Sequence, residues 1–330
     1  MSRLNLTLAC WNYDRTRALQ DGTVTPDGID LTYLSLPVEE TFFRMLRHRE
    51  FHAAEMSLSS YTVSRAAEHP AFIAIPAFVS RCFRHGSIFV SAKSGIEQPA
   101  ELRGKRVGVP EYQMTAPVWI RGILQDEYGV APDSVDYLSG GEEEIGRDEK
   151  IALNLPPRFR LEPIGPNQTL SRMIAAGEID ALHTARAPST FFTQPDAVRR
   201  LFPDYVAIER AYFRKTKIFP IMHVVVIRRD VYDENPWVAQ SLFKAFVQAQ
   251  RLAYDDLTIS AALKTMLPWQ LAAVDEAREL MGPDWWSYGF AANRHVLDTF
   301  LRYHHEQGLS PRRLQPEELF APETLESFKI

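Results

Sequence analysis

The sequence predicts an α/β protein of about two domains that closes on a helical C-terminal region. Three observations carry this. Short apolar runs alternate with helically spaced stretches over the first two thirds of the chain. A second strand–turn–helix series opens near residue 100, after the first has run its course. From Pro236 onward the apolar spacing is helical. At 330 residues the chain is long enough for two cores.

Leu4–Ala9 alternates as a strand and ends in the polar-aromatic turn Cys10–Arg15, ahead of a short helix over Thr16–Asp21. Pro26-Asp27-Gly28 is a turn, and Ile29–Leu34 alternates as a second strand. Val38–His48 has helical spacing, with Phe42, Phe43 and Leu46 on one side. Phe51–Ser57 reads as a short strand ending at Leu58-Ser59-Ser60, followed by a helix over Tyr61–Glu68 and a strand over Ile73–Val79. This alternation predicts a mainly parallel arrangement. Val107–Pro110 opens the second series, with Glu111–Ala116 at the strand-to-helix turn, a helix over Val118–Tyr128 stopped by Gly129, and a strand over Val135–Leu138. Gly140–Lys150, with four glutamates, reads as an exposed loop or a lid. Leu170–Ala176 is helical, and Ile179–Thr184 is a strand delivering His183 and Arg186 to the turn before Pro188. Ile208–Phe213 and Met222–Ile227 read as strands. Helices are expected over Trp237–Asp255, Leu257–Met266, Leu271–Met281 and Arg294–Gln307.

An apolar share of 45% with 24% charged residues is that of a soluble globular protein. The formal net charge of −5 argues against a general nucleic-acid binder, so any anion site must be local. Two cysteines, Cys10 and Cys82, are too few for a disulfide framework and lack C-x-x-C spacing; both are expected to be small buried residues in or beside strands. No window is long and apolar enough for a membrane span. Met1-Ser2-Arg3 leads directly into the first strand with no secretory pattern, so the expected location is the cytoplasm.

The stretch Arg81-Cys82-Phe83-Arg84-His85-Gly86 packs two guanidinium groups, an imidazole and a glycine ahead of the apolar strand Ser87–Val90. Two arginines beside a histidine suit a carboxylate with a proton donor next to it. A solvated loop with surface ion pairs would look the same.

The pieces "ELRGKRVGVPEYQMTAPVWIRGILQDEYGV" and "GEIDALHTARAP" resemble the second lobe of type II periplasmic binding proteins for small sulfonates and related anions. The resemblance implies a two-lobed type II periplasmic-binding-protein-like fold with a discontinuous first lobe: 1–92 and 223–330 in lobe one, 93–222 in lobe two, and a ligand cleft at strand ends. Over nearly the whole chain the sequence is also similar to the 4,5-dihydroxyphthalate decarboxylase family, which uses this fold in the cytoplasm. That similarity is carried by "RCFRHGSIFV" (81–90), "GKRVGVPEYQMTAPVWIRGIL" (104–124), "DALHTARAP" (180–188) and "FPIMHVVVIRRD" (219–230), specific as a set and weak singly. It implies loss of one carboxylate from 4,5-dihydroxyphthalate to give protocatechuate, in phthalate degradation. It brings no residue-level catalytic pattern, so the site residues follow from what the chemistry needs.

That chemistry needs cations for the carboxylate that stays, an acid for the ring carbon that gains a proton, and an acceptor near the hydroxyls. Arg81, Arg84 and Arg186 are the carboxylate candidates. His85, His183 and His223 are the proton-transfer candidates. Glu111 is a candidate acceptor that could equally complement a helix N-terminus. Trp11, Asn12 and Arg15 at the end of the first strand, Ser57 and Ser59 at the third, and Tyr112 and Thr115 after Pro110 are candidates to line the substrate; the serines could equally serve turns and caps. Asp14 belongs with the first of these groups as a candidate to line the aromatic pocket, and Glu55 with Ser57 and Ser59 at the equivalent place on the third strand. His48 and His52 read as surface, His304 and His305 as non-catalytic helix residues, and Trp269, Trp285 and Trp286 as core or interface anchors.

The ring can store the electrons released by decarboxylation, so no cofactor is expected. A divalent metal on His183, His223 and a carboxylate stays open, without the His-x-His or His-x-x-x-His spacing that would signal it. The expected partners are a small aromatic dicarboxylate and further copies of the chain, with no nucleic acid and no membrane. The alternatives are a binding module for a small aromatic or sulfonate anion, and an enzyme of the same fold with another substrate.

Overall fold

The computed structural model describes residues 3–326. In chain order the elements are β1 (Leu4–Ala9), α1 (Arg17–Gln20), β2 (Ile29–Leu34), α2 (Val38–His48), β3 (Ala53–Ser57), α3 (Leu58–Arg65), β4 (Phe72–Arg81), β5 (Ile88–Ser91), β6 (Arg106–Val109), α4 (Thr115–Tyr128), β7 (Asp136–Ser139), β8 (Arg160–Pro163), α5 (Leu170–Ala176), β9 (Ala181–His183), α6 (Ser189–Thr193), β10 (Val198–Arg200), α7 (Tyr205–Thr216), β11 (Ile221–Arg228), α8 (Arg229–Glu234), α9 (Trp237–Leu257), α10 (Gln270–Met281) and α11 (Phe290–Glu306). The chain forms two compact units. Unit 1 is Met1–Arg81, Ile221–Leu297 and Gln315–Ile330; unit 2 is Cys82–Pro220 and Asp298–Leu314. The first boundary thus falls at the end of β4, ahead of the expected residue 92, because Cys82 onward packs with the second unit. Residues 298–314, expected in lobe one, are part of unit 2. Met1, Ser2 and 327–330, which the expected first lobe included, lie outside the described residues.

Unit 1 is built on a five-stranded sheet in the order β2-β1-β3-β11-β4. Strand β1 is parallel to β2 and to β3, whereas β11 is antiparallel to both β3 and β4. The sheet is therefore mixed rather than mainly parallel, because β11 enters after the second unit and runs back between strands laid down earlier. Val224, Val225, Val226 and Ile227 of β11 are fully buried, the run expected of a strand covered on both faces. Its register with β4 shifts on either side of His223. Pro76 of β4 has no N–H to give the ladder, and its carbonyl accepts from Gly289 N at 2.9 Å.

Unit 2 carries a six-stranded sheet in the order β10-β5-β9-β6-β7-β8. Strands β9, β6, β7 and β8 are parallel, and β5 pairs antiparallel with β9 and β10. Its core joins Phe89, Leu170, Met173, Ile174, Ile179, Leu182 and Val198. The second half of α11 also belongs to this unit. Trp119 of α4 packs against Phe300 and Tyr303, with ring centroids 5.4 and 5.7 Å apart. The Tyr303 hydroxyl donates to Asp126 at 2.6 Å.

Two expectations fail for identifiable reasons. Ile208–Phe213 lies inside α7, not in a strand: the Asp204 carboxylate caps that helix by accepting from Ala207 N at 3.4 Å. Leu257–Met266 is not a helix. Helix α9 ends at Leu257, and the following residues have no face to bury, Leu263, Met266 and Leu267 being exposed. On α2 the buried side is Thr41, Phe42 and Met45, with Phe43 exposed.

Gly122 on α4 gives a test of the packing in unit 2. A Cβ built there would stand 2.1 Å from the Tyr303 ring, and that ring is anchored at its hydroxyl. Alanine for glycine inside a helix is ordinarily favourable by about 1 kcal/mol. Overpacking of about 1–3 kcal/mol should reverse the sign here. Gly122→Ala is expected to melt below the wild type; a raised melting temperature would show that Tyr303 yields freely.

Candidate active site

The parallel strands of unit 1 bring the ends of β1 and β3 together, and β11 starts beside them. Glu55 of β3 is fully buried. His223 pairs with Ser57 in the antiparallel register, and Val225 with Glu55. His223 and Glu55 are thus diagonal neighbours on one face of the sheet. The Glu55 Oε1 lies 2.6 Å from His223 Nδ1 and accepts the Tyr13 hydroxyl at 2.6 Å. Its Oε2 accepts from Trp11 N at 3.0 Å and from the Cys10 thiol at 3.5 Å. The His223 side chain keeps 18% of its surface exposed, and Phe42 meets the ring edge-on at 4.9 Å.

Burial alone would push Glu55 up. The contacts with His223, then Tyr13 and Trp11 N, outweigh it and hold the carboxyl below its ordinary value. The neighbours go the other way. Burial first, and the Glu55 charge second, raise the Cys10 thiol and the Tyr13 phenol. Burial also raises Tyr33, whose hydroxyl donates to Trp11 O at 2.9 Å. One carboxylate therefore carries the negative charge, and its neighbours remain protonated.

Arg15 extends this group. Its guanidinium lies 4.1 Å from the centroids of both the Tyr13 and Trp286 rings. Its Nε donates to Val79 O at 2.7 Å and its NH1 to Asp14 at 2.9 Å. Arginine favours such a slot because its planar cation stacks on aromatic faces. Ser57 caps α3 by accepting from Ser60 N, and Ser59 is buried within that first turn. Trp11 and Asn12 are exposed at the end of β1.

In unit 2, Glu111 follows β6 and is fully buried. It accepts from Arg147 Nε at 3.0 Å, from Gln113 Nε2 at 2.8 Å and from the Lys150 ammonium. Two cations thus surround the carboxylate. The 140–150 segment, expected as an exposed loop or lid, keeps Glu143 and Glu144 exposed but turns Glu142 and Glu149 partly inward. Glu142 accepts from the Thr184 hydroxyl, Glu143 from Ser189 N at 2.6 Å, and Glu149 from Tyr112 N. Burial raises both Glu142 and Glu149 to about 7. Tyr112 and Thr115 are buried; the Tyr112 ring lies 3.9 Å from the guanidinium of buried Arg121, and its hydroxyl donates to Gln307 O at 3.2 Å.

The other candidates have different surroundings. Arg81 is buried in unit 1, where its NH2 donates to Ser287 O at 2.7 Å and to Asn293. Burial lowers it to about 10. Arg84 is buried in unit 2 and donates to Ala185 O at 3.3 Å. Arg186 is exposed after β9. His85 packs edge-on against Phe202, Tyr212 and Tyr128, and His183 is buried in β9; among the described residues neither ring has a hydrogen-bond partner. Burial lowers His85 to about 4; burial, with the Arg121 charge second, lowers His183 to about 3. Of the three histidines, His223 alone has a carboxylate against its ring among the described residues.

The sequence does not single out Tyr13, and it places Glu55 at the end of the third strand without giving it a role. Their signal was the period of two in β3, which puts Glu55 and Ser57 on one face, and the aromatic turn after β1. Cys82 is exposed rather than buried, because it lies in the turn past β4 and not in the strand. His52 is a part-buried link between strands: its Nδ1 accepts from Thr7 N at 3.0 Å. Trp269 is exposed, whereas Trp286 donates to Phe78 O at 2.9 Å. Among the described residues no group of three or more His, Cys, Asp and Glu is placed to hold a metal ion. No described helix is long and apolar enough to cross a membrane.

Two tests follow from these environments. His85 gains nothing from its ring nitrogens, so His85→Phe should leave the melting temperature unchanged or raise it; a marked fall would reveal a polar role for the ring. Glu142 and Glu149 bind their protons more tightly in the fold than in the unfolded chain. Their contribution to stability is present below the ordinary carboxylate range and is lost as pH rises through about 7. Melting temperature should therefore decline as pH rises from about 5 to about 8. Glu142→Gln with Glu149→Gln should flatten that decline, and an unchanged slope would refute the assignment.

No protein-family model matches the sequence. Two curated proteins do. A 4,5-dihydroxyphthalate decarboxylase of Comamonas testosteroni is 46% identical over 330 residues, covering the whole of both chains. One of Pseudomonas putida is 47% identical over 204 residues, covering 62% of this chain and 79% of its own. Among solved structures, the periplasmic sulfonate-binding protein SsuA of Methylobacillus flagellatus superposes with a TM-score of 0.57 at 12% identity, over 98% of this chain and 94% of its own. The aliphatic sulphonate binding protein SsuA of Escherichia coli gives 0.51 at 11%, over 98% and 99%. These likenesses show the fold expected from the sequence, an α/β periplasmic-binding-protein-like architecture. The full-length identity shows the family: the chain belongs to the 4,5-dihydroxyphthalate decarboxylases.

Proposed function

We propose that this protein is a carboxy-lyase that converts 4,5-dihydroxyphthalate to protocatechuate (3,4-dihydroxybenzoate) and carbon dioxide. The observation that carries this is the 46% identity to a protein of that name from end to end of both chains. The substrate's two carboxyl groups are equivalent by symmetry, and each lies para to a hydroxyl. Removing a hydroxyl proton drives electron density onto the ring carbon that bears the opposite carboxylate. That carbon takes a proton and the ring becomes a dienone. The bond to the carboxylate then breaks, its electron pair returns to the ring, and carbon dioxide leaves. The hydroxyl regains its proton, so the net uptake is one proton per turnover. The ring itself accepts the electrons, which is why this reading invokes no cofactor.

The remaining carboxylate needs a fixed cation, and Arg15 meets that requirement best. Its plane is clamped between Tyr13 and Trp286, so little side-chain entropy remains to be lost on binding. Self-association belongs to this reading as well. Large apolar side chains stand exposed between α9 and α10, among them Met266 and Trp269.

The test is an assay of purified, chelator-treated protein with 4,5-dihydroxyphthalate, following carbon dioxide and protocatechuate together. Equal release of both is expected. Loss of turnover that a divalent ion restores would overturn the cofactor-free part. Binding without turnover under every metal tried would favour a binding protein instead.

A further inference from the structure

Resting on that functional reading, we propose that His223 is the acid that protonates the ring carbon losing its carboxylate, with Glu55 and Tyr13 as the residues that position it. The geometry begins with the shared acceptor. One oxygen of a fully buried carboxylate takes both the Tyr13 hydroxyl and His223 Nδ1, each at 2.6 Å. An ionised carboxylate has no proton of its own, so Nδ1 must carry one. This fixes the ring's orientation and leaves Nε2 as the nitrogen that can give a proton away. The second oxygen is held by Trp11 N at 3.0 Å and by the Cys10 thiol, so the carboxylate cannot rotate out of the pair without leaving donors buried and unpaired.

The site also meets the demands of exposure and charge. His223 keeps part of its ring at the surface, while Glu55 keeps none. A substrate can therefore reach the imidazole but not the carboxylate. The titratable and charged groups around the pair are Cys10, Tyr13, Tyr33 and Arg15. The thiol and the phenols stay neutral, Arg15 is paired with Asp14 at 2.9 Å, and the charge in direct contact with the imidazole is the Glu55 carboxylate. Arg15 rests on the ring of the same Tyr13 whose hydroxyl binds Glu55. One tyrosine thus joins the cation suited to hold a carboxylate to the pair that supplies the proton.

The step balances as follows. The hydroxyl para to the departing carboxylate releases its proton to solvent and takes one back when the ring is aromatic again. Between these events the Nε2–H bond of the imidazolium breaks and a C–H bond forms at the ring carbon. The carbon–carboxylate bond then breaks, with its electrons returning to the ring and carbon dioxide departing. Neutral His223 regains a proton from solvent, while Glu55 stays ionised throughout and takes no part in the transfer.

The experiment starts from the wild-type enzyme, whose turnover of 4,5-dihydroxyphthalate tests the functional reading separately. His223→Asn keeps a donor toward Glu55 but has no transferable proton. It is expected to lower kcat by about 10²–10⁴-fold while binding of protocatechuate, measured by calorimetry, changes by less than about threefold. A kcat within about threefold of wild type would overturn the assignment, as would loss of protocatechuate binding in a variant that melts like the wild type. Glu55→Gln decides independently if the first variant fails to fold. Removing the carboxylate takes away the opposite charge that favours the protonated form of the site, so the alkaline limb of the kcat–pH profile should move to lower pH. Glu55→Asp should restore part of the shift. A purely structural role for Glu55 would leave that limb in place, and that result would overturn the pairing.

Discussion

The first unit depends on one strand. β11 lies between β3 and β4 and hydrogen-bonds to both, so without it the sheet would fall into two pieces. Its sequence meets that demand with four consecutive β-branched residues, Val224 to Ile227, all fully buried. The same strand must also carry a polar residue near its start, because its third position comes beside the buried Glu55. His223 supplies it. The register shifts on either side of His223 show where the ladder yields to allow this. The demands of the sheet and of the site thus meet within a few residues of a single strand.

A carboxylate with no exposure is expensive, and the two units solve the problem differently. Glu111 in unit 2 is bracketed by Arg147 and Lys150 with Gln113 alongside. Full cations there neutralise the charge, and the arrangement locks a turn to a long segment. Glu55 in unit 1 has a histidine, a phenol, a thiol and one backbone N–H. Only one of these can carry a positive charge, and it can also lose it. Removing a partner from a buried pair costs about 3–5 kcal/mol in general, so both clusters resist change. Glu55 alone combines that rigidity with a partner ring that keeps part of its surface exposed.

Much of the strand–helix order is legible in the sequence, because hydrophobic period and turn residues report it directly. The strand over residues 4–9 and the helix over 170–176 need nothing more. The sequence misleads where a residue's neighbours come from far along the chain. Ile208–Phe213 looks like a strand until Asp204 is recognised as a cap. Arg81 and Arg84 are close in sequence but belong to different units, Arg81 donating to Ser287 O and Arg84 to Ala185 O. His223 was legible as a histidine at a strand end. Its partner was not, since Glu55 lies 168 positions away and nothing local marks which carboxylate a histidine will meet. The loop glutamates 142 and 149 read as solvated charge; the hydroxyl and backbone donors that receive them come from other segments.

The division of the chain has a consequence for its synthesis. Strands β3 and β4 are complete by residue 81, yet the strand that pairs with both begins only at residue 221. On the ribosome the emerging first segment therefore waits, with two strand edges unsatisfied, while the whole intervening stretch is made. Such edges are sites for wrong partners. Unit 2 has its own delay, since Phe300, Tyr303 and Gln307 reach it only after β11 has passed. Neither half can be completed vectorially on its own. Each closes on sequence that emerges after part of the other, and a nascent chain halted between them would hold two unfinished domains.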